Sequence, residues 1–147
     1  MITRWIIVAD SNRARLFQTE DGLDDLTELA DFLNPAGRLD GRELRKDAFG
    51  RFYRRGERDQ SGTAEPPVST SEHHEENFSR AITRYLKQGH DDHLYDELSI
   101  VAAPAFLGLL RKQLSEQLSP CIKQELSKEI SGLSTTEIKR YLRTNLV

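Results

Sequence analysis

Cysteine is almost absent from this chain, since Cys121 is the only one in 147 residues. A single thiol excludes a disulfide framework within the chain and is typical of a protein from a reducing compartment. Tryptophan and methionine also occur once each, whereas charged residues make up 31% of the chain. At this length the chain suffices for one domain with a substantial core, and the high charge indicates that part of it stays outside that core.

Long hydrophobic runs are missing as well. The longest, at residues 100–110, contains Pro104 and falls short of the roughly 18 apolar residues that cross a bilayer. The apolar run at residues 5–9 is shorter than the roughly 7–15 residues of a secretory signal. We therefore expect a cytoplasmic protein without a membrane partner. The net charge of −3 gives no general attraction to nucleic acids or anionic lipids.

Motifs of catalysis are also missing. The chain has no glycine-rich phosphate loop, no dinucleotide fingerprint and no Ser-His-Asp series. A two-metal nuclease needs several carboxylates that converge on metals about 4 Å apart. Asp10 follows the first predicted strand, but the fourth predicted strand ends at Ala103 and Pro104. We therefore interpret Asp10 as a turn residue that pairs with Arg13 or Arg15, and we expect no catalytic residues and no cofactor.

Alternating apolar residues in the first third of the chain predict three strands joined by short turns, and therefore an antiparallel meander. The strands cover residues 5–9, Arg13–Thr19 and residues 26–33. Short polar side chains at residues 10–12 and the pair Asp21-Gly22 mark the turns. On the third strand, a period of two places three apolar side chains on one face: Leu26, Ala30 and Phe32.

The second half of the chain predicts helices that alternate with buried strands. An amphipathic helix is predicted between Ser71, which can cap it, and Gly89, which can end it. The apolar run at residues 98–103 is typical of a strand covered on both faces, and Pro104 fits the first position of the following helix. The stripe of the first helix repeats at helical spacing: Phe78, Ala81, Ile82, Tyr85 and Leu86.

Two elements near the carboxyl terminus complete the predicted order. Residues 121–130 have apolar positions that suit either a helix or a last strand. Ser134 and Glu137 form a capping box, which predicts a final helix. The order βββ-α-β-α-β-α favours an α/β fold with a ribonuclease-H-like mixed sheet, in a single domain that covers residues 1–147.

A change of composition separates the two halves, and we expect a flexible Arg/Gly-rich insert at about residues 36–70. Between Arg38 and Arg58 the chain carries seven arginines and one lysine. Such segments bind RNA by neutralising phosphates and stacking on bases. The alternative is a solvated loop that its aromatic side chains hold on its own domain. The candidate RNA contacts interleave cations with aromatics: Arg51, Phe52, Tyr53, Arg54 and Arg55.

All four histidines lie between residues 73 and 93, among Asp and Glu residues. This cluster leaves a metal-dependent hydrolase as an alternative function. Zincin-type sites, however, place two histidines four residues apart on one helix face. His73 and His74 are adjacent and point about 100° apart on a helix, while His90 and His93 follow the predicted helix end. We therefore interpret the cluster as a capped helix start and a solvated connection, without a metal.

Several segments together resemble the bacterial host-attachment protein family, with the weakest similarity across residues 39–70. This family in turn resembles the middle domain of archaeal and eukaryotic class-1 release factors and of the ribosome-rescue protein Pelota. The resemblance implies the same mixed sheet and favours a strand at residues 121–128. The segments are WIIVADSNRARLF at residues 5–17, LNPAGR at 33–38, HHEENFSRAITRYL at 73–86, YDELSIVAAPAFLGLLRKQL at 95–114 and LSKEISGLSTTEIKRYL at 126–142.

The resemblance implies a protein that binds rather than catalyses. Release factors hydrolyse peptidyl-tRNA through a Gly-Gly-Gln loop, and this sequence contains no such tripeptide. We therefore expect a binding module for the translation apparatus or structured RNA, with a ribosome, tRNA or another RNA as its partner. The alternative, which the family name implies, is a factor required for attachment to host cells through protein or surface contacts.

The family signature falls on six positions of this sequence. The resemblance makes four of them candidate contacts to RNA or a protein partner: Asp10, Arg13, Arg15 and Arg111. Pro104 and Gly108 are interpreted as packing positions, with Gly108 permitting a close approach between helix and sheet.

Overall fold

The computed structural model describes residues 2–35, 70–114 and 116–146, and within them a five-stranded sheet and three helices. The predicted α/β class and the predicted order of elements are confirmed. A short 3-10 turn, Ser119–Cys121, precedes the last strand. The elements are β1 (Arg4–Ala9), β2 (Arg13–Thr19), β3 (Thr27–Leu33), α1 (Thr70–Asp91), β4 (Glu97–Ala102), α2 (Pro104–Gln113), β5 (Ile122–Ser127) and α3 (Thr135–Asn145).

The sheet is mixed, with the strand order β3-β2-β1-β4-β5. β1 and β2 pair antiparallel, as do β2 and β3, whereas β1 pairs parallel with β4, and β4 with β5. Because β1, β4 and β5 run in the same direction, the residues that follow them lie at one edge of the sheet. We call this the carboxyl edge, defined by Asp10, Ala103 and Lys128, and the opposite end of these strands the amino edge.

Each face of the sheet buries its own apolar cluster. On the first face, α1 and α2 cover Ile7, Leu16 and Ile100 with buried side chains that include Leu86 and Leu110. On the second face, α3 alone supplies the covering helix. Its buried residues Ile138 and Leu142 pack with four sheet residues: Ile6, Val8, Phe17 and Val101. β1 is a central strand, as predicted, and both of its faces are buried.

A bulge in β3 breaks the predicted period of two. Leu16 pairs with Ala30, but Phe17 pairs with Glu28, so Leu29 is an extra residue between them. An extra residue reverses the side on which the following side chains lie. The prediction of a common face is therefore wrong: Leu26 joins the second-face cluster, while Ala30 and Phe32 pack against the first.

The helix α1 extends beyond both predicted ends. It begins at Thr70 and ends at Asp91, so Gly89 lies inside it rather than ending it. A Cβ atom on Gly89 would lie 2.7 Å from two ring atoms of Trp5. Glycine is needed here for the close approach of helix and sheet, and not for a left-handed end. Of the predicted stripe, Phe78, Ile82 and Leu86 are buried, whereas Ala81 and Tyr85 are exposed.

The remaining boundaries follow the sequence signals. Pro104 is the first residue of α2, as predicted. The ambiguous region at residues 121–130 contains the strand β5, the alternative that the family resemblance favoured. The capping box at Ser134 is present, with its side chain accepting the Glu137 N–H and the Glu137 carboxylate accepting the Ser134 N–H. The predicted insert at residues 36–70 lies outside the described residues, apart from Thr70.

Candidate functional site

The candidate functional site is the carboxyl edge, because ligands of open α/β sheets usually bind where parallel strands end. β1 leads into the turn at residues 10–12, β4 into α2, and β5 into the loop at residues 128–134. Backbone hydrogen bonds join these connections. The Ala103 N–H donates to Ala9 at 3.1 Å, and the Lys128 N–H donates to Ala102 at 2.9 Å.

Asp10 organises the turn after β1. Its Oδ1 accepts the backbone N–H groups of Asn12 at 2.7 Å and Arg13 at 3.0 Å. Its Oδ2 accepts the hydroxyl of Ser131 at 2.7 Å. Asp10 is therefore the turn residue that the sequence predicts, but the predicted pairing with an arginine side chain is wrong. Because all three donors belong to this chain, in the turn, at the start of β2 and in the loop after β5, the carboxylate acts inside the domain.

Arg15 lies on the second face and is 6% exposed. Its guanidinium forms two hydrogen bonds with the Glu28 carboxylate, at 2.8 and 3.0 Å. It also donates to the Leu133 carbonyl at 2.7 Å and to the Thr135 hydroxyl at 2.6 Å. These contacts raise the pKa of Arg15 and lower the pKa of Glu28, chiefly through the hydrogen bonds between the two. The ion pair therefore stays charged and holds the loop before α3 against β2 and β3.

The partners of Arg15 were missed by reasoning from the sequence. Glu28 and Thr135 lie 13 and 120 residues away along the chain. The signal that was available is the arginine itself, between the apolar residues Ala14 and Leu16 of β2. A buried guanidinium requires acceptors from its own protein, and this requirement points to a structural network rather than to an exposed contact.

Arg13 is more accessible than Arg15. One terminal nitrogen lies 3.4 Å from both carboxylate oxygens of Asp31, and the side chain is 32% exposed. Its Nε is buried, and no described atom accepts a hydrogen bond from it. Leu33, which pairs with Arg13 on β3, is exposed as well. Among the predicted contacts on β2, Arg13 is therefore the one that a partner can reach.

The predicted residues of α2 lie on its outer surface. Pro104 and Gly108 are both exposed, and a Cβ atom on Gly108 would meet nothing within 4 Å. The prediction that Gly108 permits a close approach of helix and sheet is therefore wrong, since Gly89 has that role. Arg111 is 58% exposed and forms an ion pair of 2.7 Å with Glu125 of β5.

The His/Asp/Glu cluster at residues 73–93 is split by the length of α1. His73 and His90 are separated by 17 residues of helix, or about 25 Å at 1.5 Å per residue. His90 lies within the helix, which corrects its predicted place after the helix end, and contacts Asp91 at 3.4 Å. Burial, together with the neighbouring His73, lowers the pKa of His74. In the part of the chain that the structure describes, no three His, Cys, Asp or Glu side chains form a group fit for a metal ion.

The end of β3 and the start of α1, which flank the undescribed stretch, can both be located from the contacts of described residues. Asn34 donates its backbone N–H to Asn12 and its side-chain amide to Ser11, so the chain leaves β3 at the carboxyl edge. Gly89 lies against Trp5 near the start of β1, and Phe78 contacts Phe106 in α2. α1 therefore starts toward the carboxyl edge. The five predicted RNA contacts at residues 51–55 lie outside the described residues, between these two ends.

A separate pocket of about 400 Å³ lies at the amino edge and was not predicted from the sequence. Arg4 and Lys123 approach the same carboxylate oxygen of Glu97, at 3.3 and 3.7 Å. Asp21 lines the same pocket. The two positive and two negative charges balance, so the pocket has no strong preference for ions of one sign.

Comparison with known proteins gives one match over most of the chain. The family described as "Protein required for attachment to host cells" matches residues 5–142. A search of the curated proteins found no match. In the three described ranges, no helix is both long and apolar enough to cross a membrane.

Proposed function

Because the chain belongs to the family of proteins required for attachment to host cells, we propose that it is a non-enzymatic binding module that serves this attachment. Binding rather than catalysis is supported by the polar groups at the carboxyl edge, because they form hydrogen bonds within the chain. Asp10 and Arg15 each bind groups of this chain, and both contacts fix the loop between β5 and α3. These residues shape the surface, and exposed neighbours contact the partner.

The candidate contacts are two exposed cations, Arg13 at this edge and Arg111 near the end of α2. Arg13 retains a third of its side-chain surface, and Arg111 more than half. Both belong to ion pairs with exposed or half-exposed carboxylates, which contribute only about 0–1 kcal/mol to stability. A partner can therefore form its own ion pairs with these guanidinium groups at little cost to the stability of the fold.

The attachment role is tested by counting adherent cells of a strain that lacks this protein. We expect adhesion to fall, to return with the wild-type chain, and to stay low with a chain carrying both Arg13→Ala and Arg111→Ala. The matched control is Arg140→Ala, which removes an exposed cation from α3 and leaves the carboxyl edge unchanged. Unchanged adhesion of the strain that lacks the protein would refute the role.

A second candidate partner is structured RNA, including tRNA or the ribosome. It is supported by composition: residues 38–58 carry eight cations and four acids, and three aromatic residues lie among them. Arg13, among the described residues, adds a partly exposed cation at the edge where the chain leaves β3. The absence of a Gly-Gly-Gln tripeptide argues that such a complex does not release peptides.

RNA binding is tested by titrating the full chain with tRNA and with ribosomes at several salt concentrations. Each phosphate contact adds about −0.7 to −0.9 to the slope of log affinity against log salt. Arg13→Ala should reduce the magnitude of that slope by the contribution of about one contact, whereas Lys139→Ala on α3 should leave the slope unchanged. A lack of binding at low salt, or a slope that Arg13→Ala does not alter, contradicts the contribution of this surface.

Two finer assignments complete the proposal. The three antiparallel strands followed by two parallel strands with intervening helices support a ribonuclease-H-like topology, and with it the resemblance to release-factor middle domains. The single cysteine supports a cytoplasmic location. Fractionation of intact cells tests this location: a protein confined to the cytosol would act on attachment indirectly, and one sensitive to external protease would act at the surface.

A further inference from the structure

The outer edge of β3 is unpaired by any residue that the structure describes. None of its seven residues is fully buried, and two large apolar side chains, Leu29 and Leu33, are 44% and 53% exposed. Proteins protect such edges with charged residues, proline or bulges. β3 has a bulge at Leu29 and two acidic residues that arginines of β2 neutralise, but it contains neither lysine nor proline. β5, at the other end of the sheet, carries Lys123, and its Glu125 is held by Arg111. The outer edge of β3 is therefore less protected against pairing with another strand than the outer edge of β5.

The backbone groups that face outward can be identified from the register. The Asn34 N–H donates to the Asn12 carbonyl at 2.9 Å. Opposite pairs in an antiparallel ladder alternate between bonded and non-bonded. The next pair, Leu33 with Arg13, is therefore non-bonded, and so is Asp31 with Arg15. The N–H and C=O groups of Asp31 and Leu33 consequently point away from β2, toward the open edge.

The charge beside this edge has one sign. The six ionisable residues from position 20 to position 31 are all acidic. Glu28 and Asp31 are neutralised by Arg15 and Arg13. Asp21 lines the pocket at the amino edge, where the charges balance. The remaining three lie in and after the turn that leads into β3, and all are exposed: Glu20, Asp24 and Asp25. The start of β3 is therefore strongly negative, while its end presents Leu33.

We propose that the outer edge of β3 docks an extended segment of a partner protein, with Lys or Arg at one end and apolar residues at alternate positions. This inference rests on the proposed binding function and adds a contact surface to the exposed cations proposed above. Backbone hydrogen bonds to Asp31 and Leu33 hold the segment, its apolar residues contact Leu33, and its cations lie by the acidic turn. A second copy of the same strand fits poorly, because it would bring a second acidic turn to this edge.

The charge preference is tested by fluorescence anisotropy with the full chain and short labelled peptides. The probes contain alternating Val and Thr with a Lys-Lys pair at either end, and matched probes carry Glu-Glu instead. We expect one of the Lys probes to bind at least about tenfold more tightly than either Glu probe. Equal binding of both charges, or no binding of any probe, overturns the proposal.

The edge itself is tested by Leu33→Pro, with Leu33→Ala as the matched control. Proline removes an N–H that faces the partner and leaves the hydrogen bonds to β2 in place. We expect Leu33→Pro to lose at least about tenfold in affinity for the Lys probe, and Leu33→Ala to lose much less. Equal losses in the two variants contradict pairing through the backbone.

Amide hydrogen exchange of the wild-type chain decides the matter even if Leu33→Pro fails to fold. The amides of Asp31 and Leu33 should exchange fast in the free protein and slowly with the Lys probe, whereas those of Ala30 and Phe32, which face β2, should be slow in both. Slow exchange of Asp31 and Leu33 in the free protein overturns the proposal. Loss of adhesion in the strain that lacks the protein, together with such an exchange result, would keep the attachment role and reject this surface.

Discussion

The two faces of the sheet are stabilised in different ways. The first face is covered by two helices, and the side chains between them and the sheet are mainly apolar or aromatic. The buried hydroxyls of Ser79 and Thr83 on α1 donate to carbonyls of their own helix. The second face is covered by one helix, and a partly buried polar network completes it: Asp10, Arg15, Glu28, Ser131 and Thr135. Apolar packing supplies stability on the first face, whereas directional hydrogen bonds place the loop before α3 on the second.

The largest effect is expected from a cavity on the first face. Leu110 is 1% exposed, and Leu110→Ala should lower the free energy of unfolding by about 2–5 kcal/mol. The control is Leu109→Ala, since Leu109 is only half-buried and should cost less. Urea unfolding measures both variants. Equal losses would mean that the first face is not packed as described.

The polar network of the second face is tested by Arg15→Met, which keeps bulk but removes every hydrogen bond of the guanidinium. We expect a loss of about 2 kcal/mol at neutral pH, since hydrogen bonds to charged groups contribute about 1.5–3 kcal/mol. Arg13→Met is the control on the same strand, and its ion pair is more exposed. A loss in Arg15→Met no larger than in the control would remove the contrast between the two faces.

The same variant has a pH signature. The pKa of Glu28 is lowered in the folded chain, so the unfolded chain binds its proton first as the pH falls. The stabilisation is complete above the ordinary glutamate pKa of about 4.3 and is lost as the pH falls through the lower folded value. Wild-type stability should therefore drop more steeply than that of Arg15→Met below about pH 4.5. Parallel pH curves would contradict the ion pair.

A smaller loss is expected where α1 meets the first face. In Gly89→Ala the new methyl group must displace the Trp5 ring, because its atoms would lie 2.7 Å apart. Overpacking costs about 1–3 kcal/mol, and the better helix propensity of alanine returns about 1 kcal/mol. We expect a net loss of about 0–2 kcal/mol in urea unfolding, with a change in Trp5 fluorescence.

The smallest effect has the opposite sign. Gly108 lies on the outer surface of α2 with open space around its Cα atom. Gly108→Ala should therefore raise the free energy of unfolding by about 0.5–1 kcal/mol. The two glycines form a matched pair of helical positions. A gain at Gly89 or a loss at Gly108 would reverse the roles that their surroundings assign to them.

Sequence reasoning succeeded where the signal is local. The turn at Asp10, the helix start at Pro104 and the capping box at Ser134 each depend on neighbours within a few residues, and each is confirmed. The candidate site was only partly accessible in this way. Asp10 and Arg15 were identified as notable residues, but their partners were not. Ser131 lies in a loop 121 residues away from Asp10, and Glu28 meets Arg15 only through the pairing of β2 with β3.

The errors have a common cause in tertiary contact. A Gly inside a helical pattern predicts an end, yet Trp5 makes Gly89 a contact position and the helix continues. The apolar period of two predicts one face for Leu26 and Phe32, yet a bulge places them on opposite faces. In both cases the local pattern is ambiguous, and packing against another element selects the outcome.

The amino-acid sequence by itself determined the order and type of the elements, because hydrophobic period, turn residues and helix caps act over a few residues. Only the tertiary structure decided which polar groups form hydrogen bonds inside the domain and which remain accessible to a partner. Arg13 and Arg15 lie two positions apart on one strand, and one is accessible while the other is buried. The difference arises because Glu28 and the loop before α3 close over Arg15, and that closure depends on contacts more than a hundred residues apart.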